Sequence, residues 1–219
     1  MRIDPDRCYA LVPIKRRALC KSRLASVLDG RQRLVLVRSM LQRVLDALSG
    51  AGGIEQVAVV SAERDTVPAD ITLLPDAGDG LNAALQHAQQ GLLERGARAI
   101  LVLPADLPHL RAEDVDALVR AGRSGGFALA PDAAGTGTNA LFWSAESVQR
   151  AAAGAAPLRF EFGPDSCRRH QAQAVRLGLA VQLVHRPGLA FDVDTAADLA
   201  QLDALQELAY GNSGRVQHA

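Results

Sequence analysis

Between Arg7 and Leu28 the chain carries six cations, Arg7, Lys15, Arg16, Arg17, Lys21 and Arg23, and no acid. A segment of one sign is a natural host for an anion. Both lysines of the chain, Lys15 and Lys21, fall in this stretch, while arginine supplies every other cation. A compact ammonium acts as a point charge on a phosphate where a guanidinium fork would not fit. A solvated basic loop is the plain alternative, but the segment follows the first apolar run, and ligands of open α/β sheets gather at the carboxyl ends of strands. Three aspartates complement it. Asp106, in Leu103-Pro104-Ala105-Asp106-Leu107-Pro108, follows an apolar run and lies between two prolines that stiffen the turn. In Phe191-Asp192-Val193-Asp194-Thr195 the alternation puts Asp192 and Asp194 on one face of an extended chain, with Phe191 and Val193 packing the other. Like charges on one face repel unless a cation lies between them. Mg²⁺ suits such a set, because it takes hard oxygen ligands, keeps several waters and often uses only one or two carboxylates besides phosphate oxygens. Helix capping is the plain alternative for Asp106 and Asp194.

Two glycine-bearing regions add polar groups. In Pro75-Asp76-Ala77-Gly78-Asp79-Gly80-Leu81-Asn82, Gly80 permits close backbone approach and Asn82 offers a donor and an acceptor to a base or ribose. The loop is not read as a dinucleotide fingerprint, since Ala83 stands where the third glycine of GxGxxG would be, and no GxxxxGK[ST] loop exists. Gly135-Thr136-Gly137-Thr138-Asn139 and Phe162-Gly163-Pro164-Asp165-Ser166 supply small residues, and the second precedes a helical pattern whose first amides could hold an anion. Two ordinary turns, with Ser166 as an N-cap, explain them equally well. The five histidines are scattered and no Ser/His/Asp order stands out; His170, one turn beyond Ser166, is read as a surface or core residue.

These residues need a scaffold. Tyr9–Ile14, Gln56–Ser61, Ile71–Leu74, Arg98–Leu103, Phe127–Ala130, Asn139–Trp143, Ala180–His185 and Leu189–Val193 read as strands. Helical spacing runs over Arg31–Leu48, with Gly50 as a left-handed stop, and helices are expected over Leu81–Glu94, Arg111–Ala121 and Ser166–Leu177 and from Thr195, where Asp198 gives N-cap spacing. Ala151–Ala156 could be loop or short helix. The alternation argues for an α/β fold with a mixed, mostly parallel sheet and helices on both faces, antiparallel pairing falling in the second half. One domain over 1–210 with a frayed tail over 211–219 accounts for the 219 residues.

Composition excludes other classes. With 24 basic against 24 acidic residues there is no overall cationic field for nucleic acid or an anionic membrane. Cys8, Cys20 and Cys167 fit neither a disulfide frame nor a zinc site. No secretory leader or membrane-length apolar run is read, which makes the cytoplasm the expected location.

The ordered set Val12-Pro13-Ile14-Lys15, Lys21-Ser22-Arg23-Leu24, Gly80-Leu81-Asn82, Ala105-Asp106-Leu107-Pro108, Gly137-Thr138-Asn139-Ala140-Leu141, Phe162-Gly163-Pro164-Asp165-Ser166 and Asp192-Val193-Asp194-Thr195 resembles the guanylyltransferases that activate a phosphorylated small carboxylic acid in biosynthesis of the deazaflavin coenzyme factor 420. The resemblance spans residues 12–195. It implies a Rossmann-like nucleotidyltransferase fold of glycosyltransferase-A type, GTP as donor, Mg²⁺ as cofactor, and 2-phospholactate, phosphoenolpyruvate or 3-phosphoglycerate as acceptor. It further implies that Asp106, Asp192 and Asp194 bind the metal, that Lys15, Lys21, Arg23, Gly80 and Asn82 serve GTP, and that Thr138, Gly163 and Ser166 hold the acid. Lys21 joins the three aspartates as a catalytic candidate. A homodimer and hand-off to a downstream transferase are compatible with it. The stretch between Leu141 and Phe162 is longer than this pattern suggests. A molybdenum-cofactor or sugar-phosphate nucleotidyltransferase shares the basic loop and strand-end acids, and a non-catalytic GTP-binding module is the reading from another class.

Overall fold

The computed structural model describes residues 7–14, 21–76, 78–151 and 158–202. Strands β1 (Cys8–Pro13), β2 (Gln56–Ser61), β3 (Thr72–Pro75), β4 (Ala99–Val102), β5 (Gly126–Pro131), β6 (Thr138–Ser144) and β7 (Ala180–Leu183) form one seven-stranded sheet in the order β3-β2-β1-β4-β6-β5-β7. Helices α1 (Gly30–Gly50), α2 (Leu81–Glu94), α3 (Ala112–Gly125), α4 (Ala145–Ala151), α5 (Ser166–Arg176) and α6 (Pro187–Ala190) connect them, and residues 196–202 are helical. All neighbouring strands run parallel except at β6, which is antiparallel to both β4 and β5. That reversal brings the amino end of β6 to the sheet edge where β1, β4 and β5 finish.

Strand alternation builds two cores. Ala10 and Val12 face the α1 and α3 side, while Tyr9 and Leu11 face the α2 and α5 side. A strand covered on both faces reads as a continuous apolar run, which is why β1 was visible as one. A third, smaller cluster joins Leu24, Met40, Val193 and Leu202, with Leu28, Leu36, Phe191 and Leu199 against it. Fully burying Leu24 contributes about 1.5–3 kcal/mol and pins the segment after the basic loop to the segment bearing Asp192 and Asp194.

Side-chain caps mark the start of α1 and of the helix over 196–202. Asp29 and Gln32 form a reciprocal capping box on α1, each side chain accepting the other's amide at 2.8 Å. Gly96 ends α2 at φ 96°, as its position suggests. Gly50 does not act as the expected left-handed stop: it remains helical, Ala51 leaves in extended conformation, and a Cβ on Gly50 would lie 3.3 Å from that of Ala112. The expected strand over Leu189–Val193 is also absent. Pro187 fixes the first turn of the short helix α6, and residues 191–194 follow without ladder pairing. The Ala/Gly-rich stretch is helical through Ala151, while 152–157 and the expected tail over 211–219 lie outside the described residues.

Candidate active site

Asp106 is held by its own backbone. Leu103 donates to the Leu11 carbonyl at 3.1 Å, carrying the end of β4 along β1, and Val193 donates to the Asp106 carbonyl at 3.3 Å. The second bond docks residues 191–194 onto the β4 turn, so the alternation read as a strand still brings Asp192 and Asp194 toward Asp106 although no strand forms. One carboxylate oxygen from each of Asp106, Asp192 and Asp194 lies within 4.8 Å of the others. The capping alternatives do not apply. Arg111 flanks α3, and Thr195 with Asp198 caps the final helix: Asp198 Oδ2 accepts from the Thr195 amide at 2.7 Å and from the Asp194 amide at 3.0 Å, while its own amide donates to Thr195 Oγ1 at 3.3 Å.

Lys21 completes this wall. Its backbone adopts the left-handed conformation at φ 50°, and its ammonium donates to Asp106 Oδ2 and, at 2.8 Å, to Asp194 Oδ1. Only 9% of its side chain is exposed. Burial pulls the ammonium's pKa down, but the charge of Asp106 and the hydrogen bonds to Asp106 and Asp194 outweigh it, leaving the group above its ordinary value. Arg23 stands outside, 74% exposed, with Nη1 3.7 Å from Asp194 Oδ2. Burial raises the pKa of Asp192 first of all, against a 3.2 Å hydrogen bond from Asn139 Nδ2, and the charges of Asp106 and Asp194 push it further.

The carboxylates suit a hard divalent ion. Asp106 Oδ1 is buried and has no hydrogen-bond partner among the described residues. Leaving such an atom unsatisfied costs about 1–3 kcal/mol or more, and in a residue grouped with two further carboxylates a bound cation would satisfy it.

Two cavities meet on this wall. One, of about 330 Å³, is bounded by Lys21, Ser22, Arg23, Val37 and Met40. The other, of about 280 Å³, is bounded by Thr138, Asn139, Phe162, Gly163, Ser166 and Asp192. Pro13, Pro104, Asp106 and Asp194 border both. Among the sequence candidates, the structure therefore brings together Lys21, Arg23, Asp106, Asp192, Asp194, Thr138, Gly163 and Ser166. Lys15 lies outside the described residues.

Other candidates sit differently from expectation. Gly80, at φ 94°, precedes α2 but borders neither cavity. The donor and acceptor of Asn82, expected to face a base or ribose, instead bind the Phe162 carbonyl at 3.0 Å and the Phe162 amide at 2.8 Å. Asn82 thus shapes the cavity wall. Ser166 is not an N-cap: Asp165, at φ 54°, holds that position, and Ser166 is the first residue of α5. Two of the first amides of α5 are already used, Ser166 donating to Gly163 and Cys167 to Thr136 at 3.1 Å each, which limits the helix end expected to hold an anion.

Two contributors carried little sequence signal. Asn139 follows Thr138 and binds both Asp192 and the Ala190 carbonyl, at 3.2 and 3.3 Å. His170 is a core residue, as the simpler reading had it, yet it touches the cavity wall: Nδ1 lies 3.0 Å from Thr138 Oγ1. Burial, assisted by Arg169, pushes the pKa of His170 down to about 4.

A family model described as guanylyl transferase CofC like matches residues 8–208. A phosphoenolpyruvate guanylyltransferase of Rubrobacter xylanophilus is 42% identical over 207 residues, covering 92% of this chain and 96% of that one. Another, of Sphaerobacter thermophilus, is 41% identical over 198 residues, covering 88% and 91%. Among solved structures, CMP:2-keto-3-deoxy-manno-octonic acid synthetase complexed with CTP has a TM-score of 0.62 at 15% identity, covering 93% of this chain and 99% of that one. The 4-diphosphocytidyl-2C-methyl-D-erythritol synthase of Anaerococcus prevotii has a TM-score of 0.61 at 11% identity, covering 93% and 100%. These two speak to the fold alone, and the fold is that of nucleotidyltransferases. Among the described residues no helix is long and apolar enough to cross a membrane.

Proposed function

Since the chain belongs to the CofC-like guanylyl transferase family and is a nucleotidyltransferase, we propose that it transfers GMP from GTP to the phosphate of a small phosphorylated carboxylic acid and releases pyrophosphate. The observation that carries this reading is the pair of cavities sharing Asp106 and Asp194. A transfer between two anions needs two adjacent anion sites with a common electrostatic wall. We assign the larger cavity, beside Lys21 and Arg23, to the triphosphate and the smaller, beside Thr138 and Ser166, to the acid.

Repulsion sets the problem. Two unit charges about 4 Å apart repel by roughly 4 kcal/mol at an effective dielectric near 20. Lys21 and Arg23 offset part of this on the nucleotide side. Asp106, Asp192 and Asp194 would hold Mg²⁺, which, when bound, supplies charge neutralisation to phosphate oxygens. A phosphate oxygen of the acid forms the new bond to the α-phosphorus, the bond from that phosphorus to the β-phosphate oxygen breaks, and pyrophosphate carries the electron pair away. The attacking phosphate is already largely ionised at neutral pH, so no side chain has to remove a proton. This is consistent with a neutral, buried His170.

The relatives named above act on phosphoenolpyruvate by name, which makes that acid the first choice here, before 2-phospholactate and 3-phosphoglycerate. The small residues Thr138, Gly163 and Ser166 along the second cavity support such an acid over a sugar phosphate or a pterin. Supply of a deazaflavin coenzyme pathway in the cytoplasm is the setting we propose. Purified protein offered each acid with GTP, ATP, CTP or UTP and Mg²⁺ provides the test, read as pyrophosphate release and product mass. The expected product is the guanylylated acid, formed fastest from phosphoenolpyruvate. Turnover of a sugar phosphate with none of the three acids would contradict the assignment, and tight GTP binding without pyrophosphate release would favour a binding module.

A further inference from the structure

We propose that His170 is a positioning residue that makes the Thr138 hydroxyl a dedicated hydrogen donor toward the smaller cavity, and that this sets recognition of the anionic acceptor. The proposal rests on the assignment of that cavity to the phosphorylated acid. The amide of Glu161 donates to Nε2 of His170 at 3.0 Å, and a ring nitrogen that accepts carries no proton. In the neutral ring the proton is therefore on Nδ1, which faces Thr138 Oγ1 at 3.0 Å. Nδ1–H donates and Oγ1 accepts. Among the described residues, His170 is the hydrogen-bond partner of that hydroxyl, so its single proton is left for whatever enters the cavity that Thr138 borders. The other tautomer would invert the wall. Thr138 would then donate to Nδ1 and turn only lone pairs toward a phosphate or carboxylate.

The surroundings hold the ring in this state. His170 is 1% exposed, and its low pKa keeps it uncharged at neutral pH. Phe162 meets its ring edge-on with centroids 5.0 Å apart. Phe162 is itself fixed through both backbone groups by Asn82. The chain of contacts runs from Asn82 through Phe162 and His170 to Thr138, with the hydroxyl as its last member.

Two measurements on the full chain test this. Long-range ¹H–¹⁵N correlation is expected to show His170 protonated on Nδ1 and bare on Nε2. In steady-state kinetics with phosphoenolpyruvate, Thr138→Val is expected to raise the KM for the acid about tenfold to a hundredfold, as for a lost hydrogen bond to a charged group. His170→Phe is expected to raise it about five- to tenfold, with the KM for GTP and kcat within twofold, and to add nothing in the Thr138→Val background. His170→Asn, whose amide nitrogen can take the place of Nδ1, is expected to recover most of the loss. A purely structural role would move both KM values together and would not be rescued by Asn. An Nε2-protonated ring, or an effect of Thr138→Val with none in His170→Phe, overturns the relay alone. No effect of Thr138→Val on the acid KM overturns the cavity assignment as well.

Discussion

The two walls that meet at Asp106 and Asp194 are built on opposite physical principles. One is a cluster of three carboxylates and a lysine, partly open to solvent, with a buried carboxylate oxygen unsatisfied and Lys21 in a left-handed backbone conformation. The other, on the far side of the shared aspartates, is a hydrogen-bonded network of uncharged groups: Thr138, His170, the Glu161 amide, Phe162 and Asn82 hold one another in place and leave the Thr138 hydroxyl proton toward the cavity. A wall with unmet electrostatic demands changes when charged ligands arrive, whereas a satisfied hydrogen-bond network is preorganised and loses little on binding. The nucleotide side is thus expected to respond to charge, and the acid side to shape and donor direction.

Substitutions should separate the two. The largest effect is expected for Asp106→Asn or Asp192→Asn, which should lower kcat about 10³-fold or more with Mg²⁺ while circular dichroism stays unchanged, since each removes charge stabilisation at the reacting phosphates. Retained turnover would take the carboxylates out of the chemistry. Lys21→Met is next. It should raise the KM for GTP about tenfold and destabilise the metal-free protein by about 1–2 kcal/mol, a value reduced because Asp194 is half exposed. Added Mg²⁺ should recover that stability in a thermal melt, and an unchanged GTP requirement would return Lys21 to a purely structural role.

The neutral wall answers to pH. An unfolded histidine titrates near 6.5 and His170 near 4 in the fold, so protons favour the unfolded chain. The stability is complete above pH 6.5 and declines as pH falls toward 4. At pH 5.5 this amounts to about 1.4 kcal/mol, one pH unit of linkage. The pH dependence of denaturant unfolding between pH 7.5 and 5.5 should differ between wild type and His170→Phe by that amount; parallel pH dependences would mean that folding leaves the His170 pKa unshifted. The smallest effect is expected for Asn82→Ala, which should raise the KM for the acid about three- to fivefold and leave that for GTP unchanged. The reverse pattern would restore Asn82 to the nucleotide.

Much of the scaffold was readable because local pattern carries it. Apolar runs announced the sheet, and Thr195 with Asp198 announced the last cap. The aspartates converged as expected even though residues 191–194 form no strand, because alternation survives in any extended backbone. What sequence could not show was partnership. The antiparallel pairing expected in the second half is found at β6, but nothing local says that β6 inserts between β4 and β5, which delivers Thr138 and Asn139 to the site. Nothing local says that the cation at Lys21 pairs with carboxylates 85 and 173 residues away. Asn82 illustrates the same limit: its amide can serve a base or a backbone equally, and only the approach of Phe162 decides.

The central claim is that one carboxylate wall serves both cavities. Its most direct test is ³¹P relaxation with Mn²⁺ in place of Mg²⁺, in a complex with phosphoenolpyruvate and a GTP analogue carrying a methylene α–β bridge. A shared wall predicts strong paramagnetic relaxation of both the α-phosphorus and the phosphorus of the acid, lost in Asp192→Asn. Relaxation of only one of the two nuclei would contradict it.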